Sequence, residues 1–310
     1  MNLFRMNLSR FRAHIELLRP PLAPMDLAMP GASVLLASFT VHGTLPSLLP
    51  FVLATLGAYS AITSSYVFND CCDIDVDRIG MPNRPLPSAM LSKREAEAWS
   101  LMLFAAAAAI AYYLNPESFA ILIVATLMIT IYSTWAKRST PFSWIFVGAS
   151  FGLVPFGVWL AIEPAGILKS GLGIHPASVI LALMICITDW GFTNCDASRD
   201  VAGDREKGIP TTPATFGISA SAKMVALFWL IGVVLSVALG WSAGLGLIYL
   251  AVAAAAGAWL LLQNLDFVKN PTAKRGDRLF YQSANYRFVL FSAIIIDVLQ
   301  RTMLPHMGLF

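Results

Sequence analysis

The sequence contains few charged residues and few histidines. Asp, Glu, Lys and Arg make up 13% of its 310 residues, about half the share found in soluble globular domains, and only four residues are His. Hydrophobic residues make up 57%, and the mean hydropathy is +0.68. This composition excludes an ordinary soluble domain and predicts a protein that crosses the lipid bilayer many times. It gives no reason to expect a nucleic-acid partner.

Cysteine is also scarce, and its spacing excludes two kinds of site. The four cysteines are Cys71, Cys72, Cys186 and Cys195, with no C-x-x-C pair and no histidine close by in the sequence. Zinc coordination and a disulfide framework both require such patterns. The sequence therefore predicts neither.

Long apolar segments are abundant instead. Nine of them are close to the ~20 residues that cross a bilayer as a helix. Their approximate ranges are 22–44, 48–68, 96–114, 118–136, 142–162, 174–195, 219–240, 242–262 and 284–304. Because no polar linker divides them, the sequence predicts one all-α polytopic membrane domain over residues 1–310.

The basic residues predict the orientation of these spans. The N-terminal segment and the loops after spans two, four, six and eight contain 19 of the 21 Lys and Arg residues, if Arg287 is counted with the last loop. Lys169 and Arg301 fall on the other side. Cytoplasmic loops are enriched in Lys and Arg, so the N-terminus and these four loops are predicted to be cytoplasmic.

Two acidic clusters repeat each other at a fixed offset of 127 residues. One directly follows span two, and the other directly follows span six. The offset places three pairs of residues in register: Asn69 with Asp196, Asp73 with Asp200, and Asp77 with Asp204. This register predicts a weak internal repeat of four helices, over residues 22–136 and 142–262, with a ninth helix added at 284–304.

The composition and spacing of the clusters predict a metal site. Residues at i, i+4 and i+8 lie along one face of a helix, so each cluster is expected to present a row of oxygen ligands. Oxygen ligands without His or paired Cys favour Mg²⁺, which commonly shares its coordination with substrate phosphates. The predicted substrate therefore carries a diphosphate, and the predicted ligands are Asn69, Asp73, Asp77, Asp196, Asp200 and Asp204.

Basic residues beside the clusters are predicted to bind the diphosphate. Arg84 lies in the turn Pro82-Asn83-Arg84-Pro85, whose prolines would hold its guanidinium in place. Lys137 and Arg138 end span four on the same side of the membrane, where they would reach the phosphates directly. A role as simple topology signals is the alternative for these two. The residues next to the second cluster with the same expected role are Arg199, Arg205 and Lys207.

These motifs resemble those of the UbiA superfamily of intramembrane prenyltransferases. Residues 69–77 match the whole of that family's first motif, NDxxDxxxD, and the Asn-Arg-Pro-Leu-Pro-Ser at 83–88 resembles its extension. Residues 196–204 resemble the second motif. Residues 132–137 resemble a Tyr-Ser…Lys element, which adds Tyr132 to the expected diphosphate contacts. Motif spacing and span count agree along nearly the whole chain.

The resemblance implies a fold and a reaction. The fold is nine helices around a central cavity, with two Mg²⁺ ions held by the two motifs. There a polyprenyl diphosphate is ionised and its allylic cation alkylates an acceptor, so that Asp73, Asp77, Asp200 and Asp204 become catalytic residues. The second motif lacks the YAxxDxxDD form of 4-hydroxybenzoate polyprenyltransferases. The expected acceptor is lipophilic, and either aromatic or similar to a quinone precursor.

One carboxylate lies inside a predicted span. Asp189 precedes Asp196 by seven residues, so it lies on nearly the same helix face and about two turns deeper. Ionisable residues within a membrane mark substrate pathways by default. Asp189 is therefore expected to contact a hydroxyl of the acceptor.

Two other functions use the same features. A terpene cyclase of the same fold would ionise the same diphosphate and close the cation on its own double bonds, and the motifs do not separate it from a transferase. A cation-coupled transporter would place ionisable residues near the midplane of broken helices. The clusters lie instead at span ends on one side, which disfavours transport.

Overall fold

The computed structural model describes residues 2–163 and 174–303, with side chains from Ser9 onward, and that part of the chain contains helices and no strand. The helices are α1 (Asn2–Leu17), α2 (Ala23–His42), α3 (Leu48–Cys72), α4 (Ile74–Gly80), α5 (Lys93–Leu114), α6 (Pro116–Ser139), α7 (Trp144–Ile162), α8 (Pro176–Arg199), α9 (Val201–Glu206), α10 (Thr212–Phe216), α11 (Ile218–Ser242), α12 (Leu247–Lys269) and α13 (Ala273–Met303).

Nine helices of the described residues are long and apolar enough to cross a membrane: α2, α3, α5, α6, α7, α8, α11, α12 and α13. This confirms the nine predicted spans. The largest error is at the last span, which was predicted to begin at residue 284, whereas α13 begins at Ala273. Charged residues at its start lower the hydropathy without preventing a helix, so the sequence pattern resembled a loop. Leu304, the predicted end, and Lys169 lie outside the described residues.

Local signals in the sequence set several helix ends near the membrane surface. Ser92 and Glu95 form a capping box that begins α5 directly after the proline-rich turn. The Asn115 side chain accepts a hydrogen bond from the Glu117 N–H at 2.9 Å and begins α6. Gly43 directly follows the last residue of α2 and caps the helix, with a φ of 68° that favours glycine.

The nine long helices form a closed ring in chain order. Each packs against the next, and α13 returns to pack against α2, while α8 also contacts α13 across the ring. The pairs α3–α5 and α8–α11 occupy equivalent positions in the two halves, although the internal repeat itself stays a prediction. A Cβ on Gly148 of α7 would overlap Trp190 and the Cys186 carbonyl of α8. Glycine therefore permits this close helix contact.

Candidate active site

Both acidic clusters contain a break in the helix at their middle carboxylate. α3 ends at Cys72 and α4 begins at Ile74, while Asp73 between them has φ −106° and ψ 11°. Asp200 divides α8 from α9 in the same way, with φ −92° and ψ 8°. The prediction that each cluster continues along one helix face was therefore wrong. Each chain segment turns at the position that the offset of 127 residues makes equivalent.

The break places the last carboxylate of each cluster on a short helix. Asp77 lies on α4 and Asp204 on α9, and these two helices contact each other. Gly203 at this contact lies near Val76 and Ile79, where an added Cβ would be 3.8 Å from each side chain. The α4–α9 contact brings the two clusters face to face.

The four aspartates of the first cluster are each paired with a basic side chain from outside the cluster. The N–O distances are 2.9 Å for Asp70 with Arg19, 2.6 Å for Asp73 with Lys137, 2.8 Å for Asp75 with Arg138, and 2.9 Å for Asp77 with Arg84. Arg84 also lies 3.5 Å from Asp70. These ion pairs join the cluster to the segment before α2, the proline-rich turn and the end of α6.

Among the described residues, the second cluster has one basic partner, which comes from its own helix. Arg199 at the end of α8 lies 2.6 Å from Asp196 and 3.0 Å from Asp200. Asp204 instead accepts a hydrogen bond of 2.8 Å from the Thr211 hydroxyl. Thr211 was not predicted as a site residue, since a threonine in a loop has no distinctive sequence pattern.

Burial affects the two short-helix carboxylates alike. Loss of solvation raises the pKa of Asp77 to about 6 and the pKa of Asp204 to about 6. The pKa of Asp200 is also raised, by burial and by the nearby Asp196 carboxylate. Asp75 differs because its hydrogen bonds with Arg138 lower its pKa. The buried carboxylates therefore favour binding of additional positive charge.

One pocket brings residues of both clusters together. Its wall includes Asp77 from the first cluster, three carboxylates from the second, and two residues of α6; these are Asp77, Asp196, Asp200, Asp204, Tyr132 and Lys137. Residues Tyr132–Ala136 form a π-helical turn within α6, a feature frequent at functional sites. We refer to this space as the acidic pocket.

A second cavity lies deeper in the ring. It shares Tyr132, Thr193 and Asp196 with the acidic pocket, and Asp189 and Arg287 form part of its wall. Arg287 Nη2 lies 3.2 Å from Asp189 Oδ2 and 2.8 Å from the Thr188 hydroxyl. Oδ2 of Asp189 nevertheless accepts no hydrogen bond from the described residues. Asp189 Oδ1 accepts the hydrogen bond from Arg287 Nη1, at 3.4 Å, so Oδ2 is the carboxylate oxygen with an unused lone pair. We call this second space the inner cavity.

Three further polar residues form part of the wall of the inner cavity, and the sequence did not predict this role for them: Arg19, Tyr66 and Arg287. The Arg19 guanidinium lies 4.7 Å from the centre of the Tyr66 ring, and the Tyr66 hydroxyl donates to Asp26 at 3.0 Å. Arg287 was counted among the loop residues that set topology, but it is buried in the middle of α13. Its place inside an apolar span, like that of Asp189, was the available signal.

Comparison with known proteins identifies the family of this chain. A model of the UbiA prenyltransferase family matches residues 31–291. The chain belongs to the UbiA prenyltransferase family. It is therefore a prenyltransferase embedded in a membrane, as the resemblance of its motifs implied.

Curated UbiA relatives include two kinds of prenyltransferase. A digeranylgeranylglyceryl phosphate synthase from Thermococcus kodakarensis is 31% identical over 243 residues, which cover 78% of this chain and 82% of the relative. A protoheme IX farnesyltransferase from Korarchaeum cryptofilum is 27% identical over 250 residues, covering 79% and 82%. These relatives support a prenyltransferase and leave the acceptor undetermined.

Solved structures of UbiA homologues share the fold. A homologue from Aeropyrum pernix K1 in its apo form has a TM-score of 0.72 with 23% identity, covering 88% of this chain and 97% of that one. A homologue from Archaeoglobus fulgidus, bound to GPP and Mg²⁺, has a TM-score of 0.59 with 19% identity, covering 91% and 99%. The predicted architecture of nine helices is confirmed by this agreement.

The acidic pocket provides suitable ligands for Mg²⁺. Its donors are carboxylate oxygens, the type that Mg²⁺ prefers. Asp73 is not part of the pocket wall but pairs with Lys137, which is, and its buried Oδ1 accepts no hydrogen bond from the described residues. Within residues 2–163 and 174–303, however, no three His, Cys, Asp or Glu side chains are gathered closely enough to hold a metal ion. Basic side chains pair with Asp73, Asp77, Asp196 and Asp200 instead, and Thr211 holds Asp204.

The structure separates the predicted diphosphate contacts into two groups. Arg84, Tyr132, Lys137, Arg138 and Arg199 lie at the clusters. Arg205 and Lys207 do not lie at the clusters. Both side chains are exposed, Arg205 on α9 and Lys207 just after it. The Arg205 guanidinium donates to the carbonyls of Pro213 and Ala214, at 3.4 Å each.

The predicted ligand Asn69 lies slightly apart from the acidic pocket. Its side-chain amide donates to the Ser133 hydroxyl at 3.3 Å, and it forms part of the wall of the inner cavity. Asn69 therefore connects the first cluster with the π-helical turn of α6.

Proposed function

We propose that this UbiA prenyltransferase is Mg²⁺-dependent and transfers the prenyl group of a polyprenyl diphosphate to a lipophilic acceptor, which is aromatic or similar to a quinone precursor. The observation that carries the proposal is that the acidic pocket and the inner cavity adjoin and share part of their walls. The acidic pocket contains carboxylates from both clusters, and the inner cavity contains Asp189, whose Oδ2 accepts no hydrogen bond from the described residues.

The acidic pocket would hold the diphosphate. Bound Mg²⁺ would supply positive charge that stabilises the diphosphate as it leaves. Asp73, Asp77, Asp196, Asp200 and Asp204 would hold the metal, with Asn69 beside them. Lys137 and Arg84 would turn from their carboxylates to the phosphate oxygens, since both side chains already reach the clusters. Exclusion of water by the surrounding helices strengthens these contacts.

The inner cavity would hold the acceptor. The bond between prenyl C1 and the diphosphate oxygen breaks, and its electron pair leaves with the diphosphate. The nucleophilic atom of the acceptor forms a new bond to C1, and the proton that it loses passes to Asp189. Arg287 keeps Asp189 oriented at 3.2 Å. This polar lining favours an acceptor over the apolar wall that a cyclase would need.

The prenyl chain has an adjoining apolar space. A cavity between α3, α5, α6 and α7 shares Ser65, Ile129 and Phe151 with the inner cavity. Its other lining residues include eight apolar side chains, with Phe68 and Phe104 among them, and six polar ones, of which Glu97 is the one that carries a charge. A hydrophobic chain attached to a diphosphate in the acidic pocket can extend into this space.

A product analysis tests the proposal. Purified protein is incubated with Mg²⁺ and C10 to C20 prenyl diphosphates, with and without a membrane extract, and the products are identified by mass spectrometry. We expect a prenylated lipophilic product that requires both the extract and Mg²⁺. A cyclic hydrocarbon as the main product without extract would support the cyclase instead. Turnover unaffected by removal of divalent metal would contradict the metal site.

We further propose that the acidic pocket opens on the cytoplasmic side. The support is the excess of Lys and Arg at that end of the helices, which is reduced only slightly when the buried Arg287 is left out. Ser47 precedes the second span and Lys93 begins the third, so the two lie at opposite ends of this pair of helices. Single cysteines introduced by Ser47→Cys and Lys93→Cys are labelled with an impermeant reagent in sealed vesicles. We expect opposite accessibility, with Lys93 on the cytoplasmic side. Labelling of Lys93 only from the outer side would reverse the orientation.

A further inference from the structure

The geometry points to Asp277 as a positioning residue of the metal site. It receives the Arg199 guanidinium when a metal ion binds Asp196 and Asp200. Asp277 lies outside both acidic motifs, near the start of α13. The inference rests on the proposed metal-dependent function. It adds Asp277 to the residues of that function, because Asp277 would free the metal ligands from Arg199.

Arg199 is shared among three carboxylates. Its nitrogens lie 2.6 Å from Asp196, 3.0 Å from Asp200 and 3.8 Å from Asp277. The first two carboxylates are proposed metal ligands, and the third is not. The Arg199 side chain is only 17% exposed, so water cannot readily replace a lost carboxylate partner. A metal ion at Asp196 and Asp200 therefore requires another anion for Arg199.

A close contact between helices puts Asp277 within reach. A Cβ on Gly276 would lie 2.9 Å from the Ser198 Cβ and 3.3 Å from the Cys195 carbonyl, so only glycine lets the start of α13 approach the end of α8 this closely. Phe280, about one turn further along α13, has its ring centre 5.4 Å from the Arg199 guanidinium. Asp277 and Phe280 thus both lie beside the guanidinium, and neither is part of the wall of the acidic pocket.

The exchange requires only a small movement of the guanidinium. Leaving Arg199 between the ligands would place a second cation beside the metal, and like charges at this distance repel strongly at low dielectric. Moving toward Asp277 keeps the guanidinium paired and frees both carboxylates. In the first cluster Arg84 similarly lies between Asp77 at 2.9 Å and Asp70 at 3.5 Å.

A double-mutant cycle on metal binding tests this role. Mn²⁺ binding to the purified full-length protein in detergent is followed by electron paramagnetic resonance, without any diphosphate. Asp277→Asn should weaken Mn²⁺ binding about five-fold, or about 1 kcal/mol. Arg199→Gln should strengthen it, because no cation then competes. In the double variant, Asp277→Asn should have no further effect.

Two variants serve as controls. Asp266→Asn removes the same charge near the end of α12, shortly before α13 begins, where Asp266 pairs with Arg275 at 2.7 Å outside both clusters. It should leave Mn²⁺ binding unchanged. Asp277→Glu keeps the carboxylate and should restore most of the affinity, which a general packing defect at this position would not allow.

Three outcomes would overturn the inference. The first is unchanged Mn²⁺ binding in Asp277→Asn. The second is an equal loss of Mn²⁺ affinity on Asp277→Asn with and without Arg199, since the Asp277 charge would then act on the metal directly and not through Arg199. The third is a wild-type protein that takes up no Mn²⁺ at millimolar concentration. Prenyl transfer by the wild-type protein, measured separately, would survive the first two results, so failure of this inference is distinguishable from failure of the proposed function.

Discussion

The two acidic clusters have the same backbone and different surroundings. Each ends a long membrane helix, breaks at its middle aspartate, and carries a last aspartate whose pKa is raised to about 6 by burial. The first cluster, however, is paired with basic residues from several distant segments, whereas the second has Arg199 from its own helix.

The difference is one of charge balance. Among the described residues, the first cluster's four aspartates face four basic partners, which are Arg19, Arg84, Lys137 and Arg138. The second cluster's three aspartates face one, which is Arg199. The second cluster therefore keeps a surplus of negative charge and should attract the first metal ion. A repeated motif fixes the geometry of a site, while residues outside the motif decide its charge.

The largest effects should come from carboxylates that the two clusters have in common. Asp73→Ala, Asp77→Ala, Asp200→Ala and Asp204→Ala should each slow diphosphate release by about 100-fold or more, because a preorganised charge-stabilising group is lost. Release is measured on purified, correctly inserted protein, with Asp266→Asn as the control for loss of a surface carboxylate. Near-normal release in two of the four variants would show that the clusters do not form one site.

Lys137 should contribute most to the stability of the first cluster when metal is absent. Lys137→Met leaves Asp73 buried without its partner at 2.6 Å, which should lower the free energy of unfolding by about 3 kcal/mol. Denaturant unfolding in Mg²⁺-free detergent solution measures the change, and Lys137→Arg is the charge-preserving control. Equal stability of the methionine variant and the wild type would mean that the first cluster does not depend on its basic partners.

Asp189 should separate ionisation from transfer. Asp189→Asn keeps the size of the side chain and removes the charge that holds the acceptor, so the yield of transferred product per diphosphate released should fall about ten-fold, the equivalent of one hydrogen bond. Both products are quantified in the same reaction. A fall in diphosphate release as large as the fall in transfer would place Asp189 in the ionisation step instead.

The smallest effect should come from Arg138. Its side chain is 36% exposed and that of its partner Asp75 is 49% exposed, so water screens their attraction. Arg138→Gln should change stability by less than about 1 kcal/mol and leave diphosphate release within two-fold of wild type, on the order expected for a surface ion pair. A large loss of release, with stability intact, would mean that Arg138 contacts the diphosphate.

The sequence was most informative where a feature depends on composition or period. Spans of the right length and apolarity predicted the nine helices, and the offset of 127 residues predicted that the clusters form equivalent parts of one site. The breaks at Asp73 and Asp200 were missed because aspartate is compatible with both a helix and a turn. The ion pairs of Arg19 and Arg287 were missed because they join residues 51 and 98 positions apart in the chain.

The pair formed by Asp189 and Arg287 has a consequence for how the protein is made. Each charge, alone at the centre of a bilayer, opposes insertion of its helix, by about 2.5–3.5 kcal/mol on the scale measured for translocon-mediated insertion. α8 is synthesised before α13, so Asp189 must enter the membrane before its partner exists. Arg287 can be accommodated only beside a helix that is already in place. Assembly of the ring is therefore expected to be completed late, when α13 docks against α8 and α2 and both charges leave the lipid together.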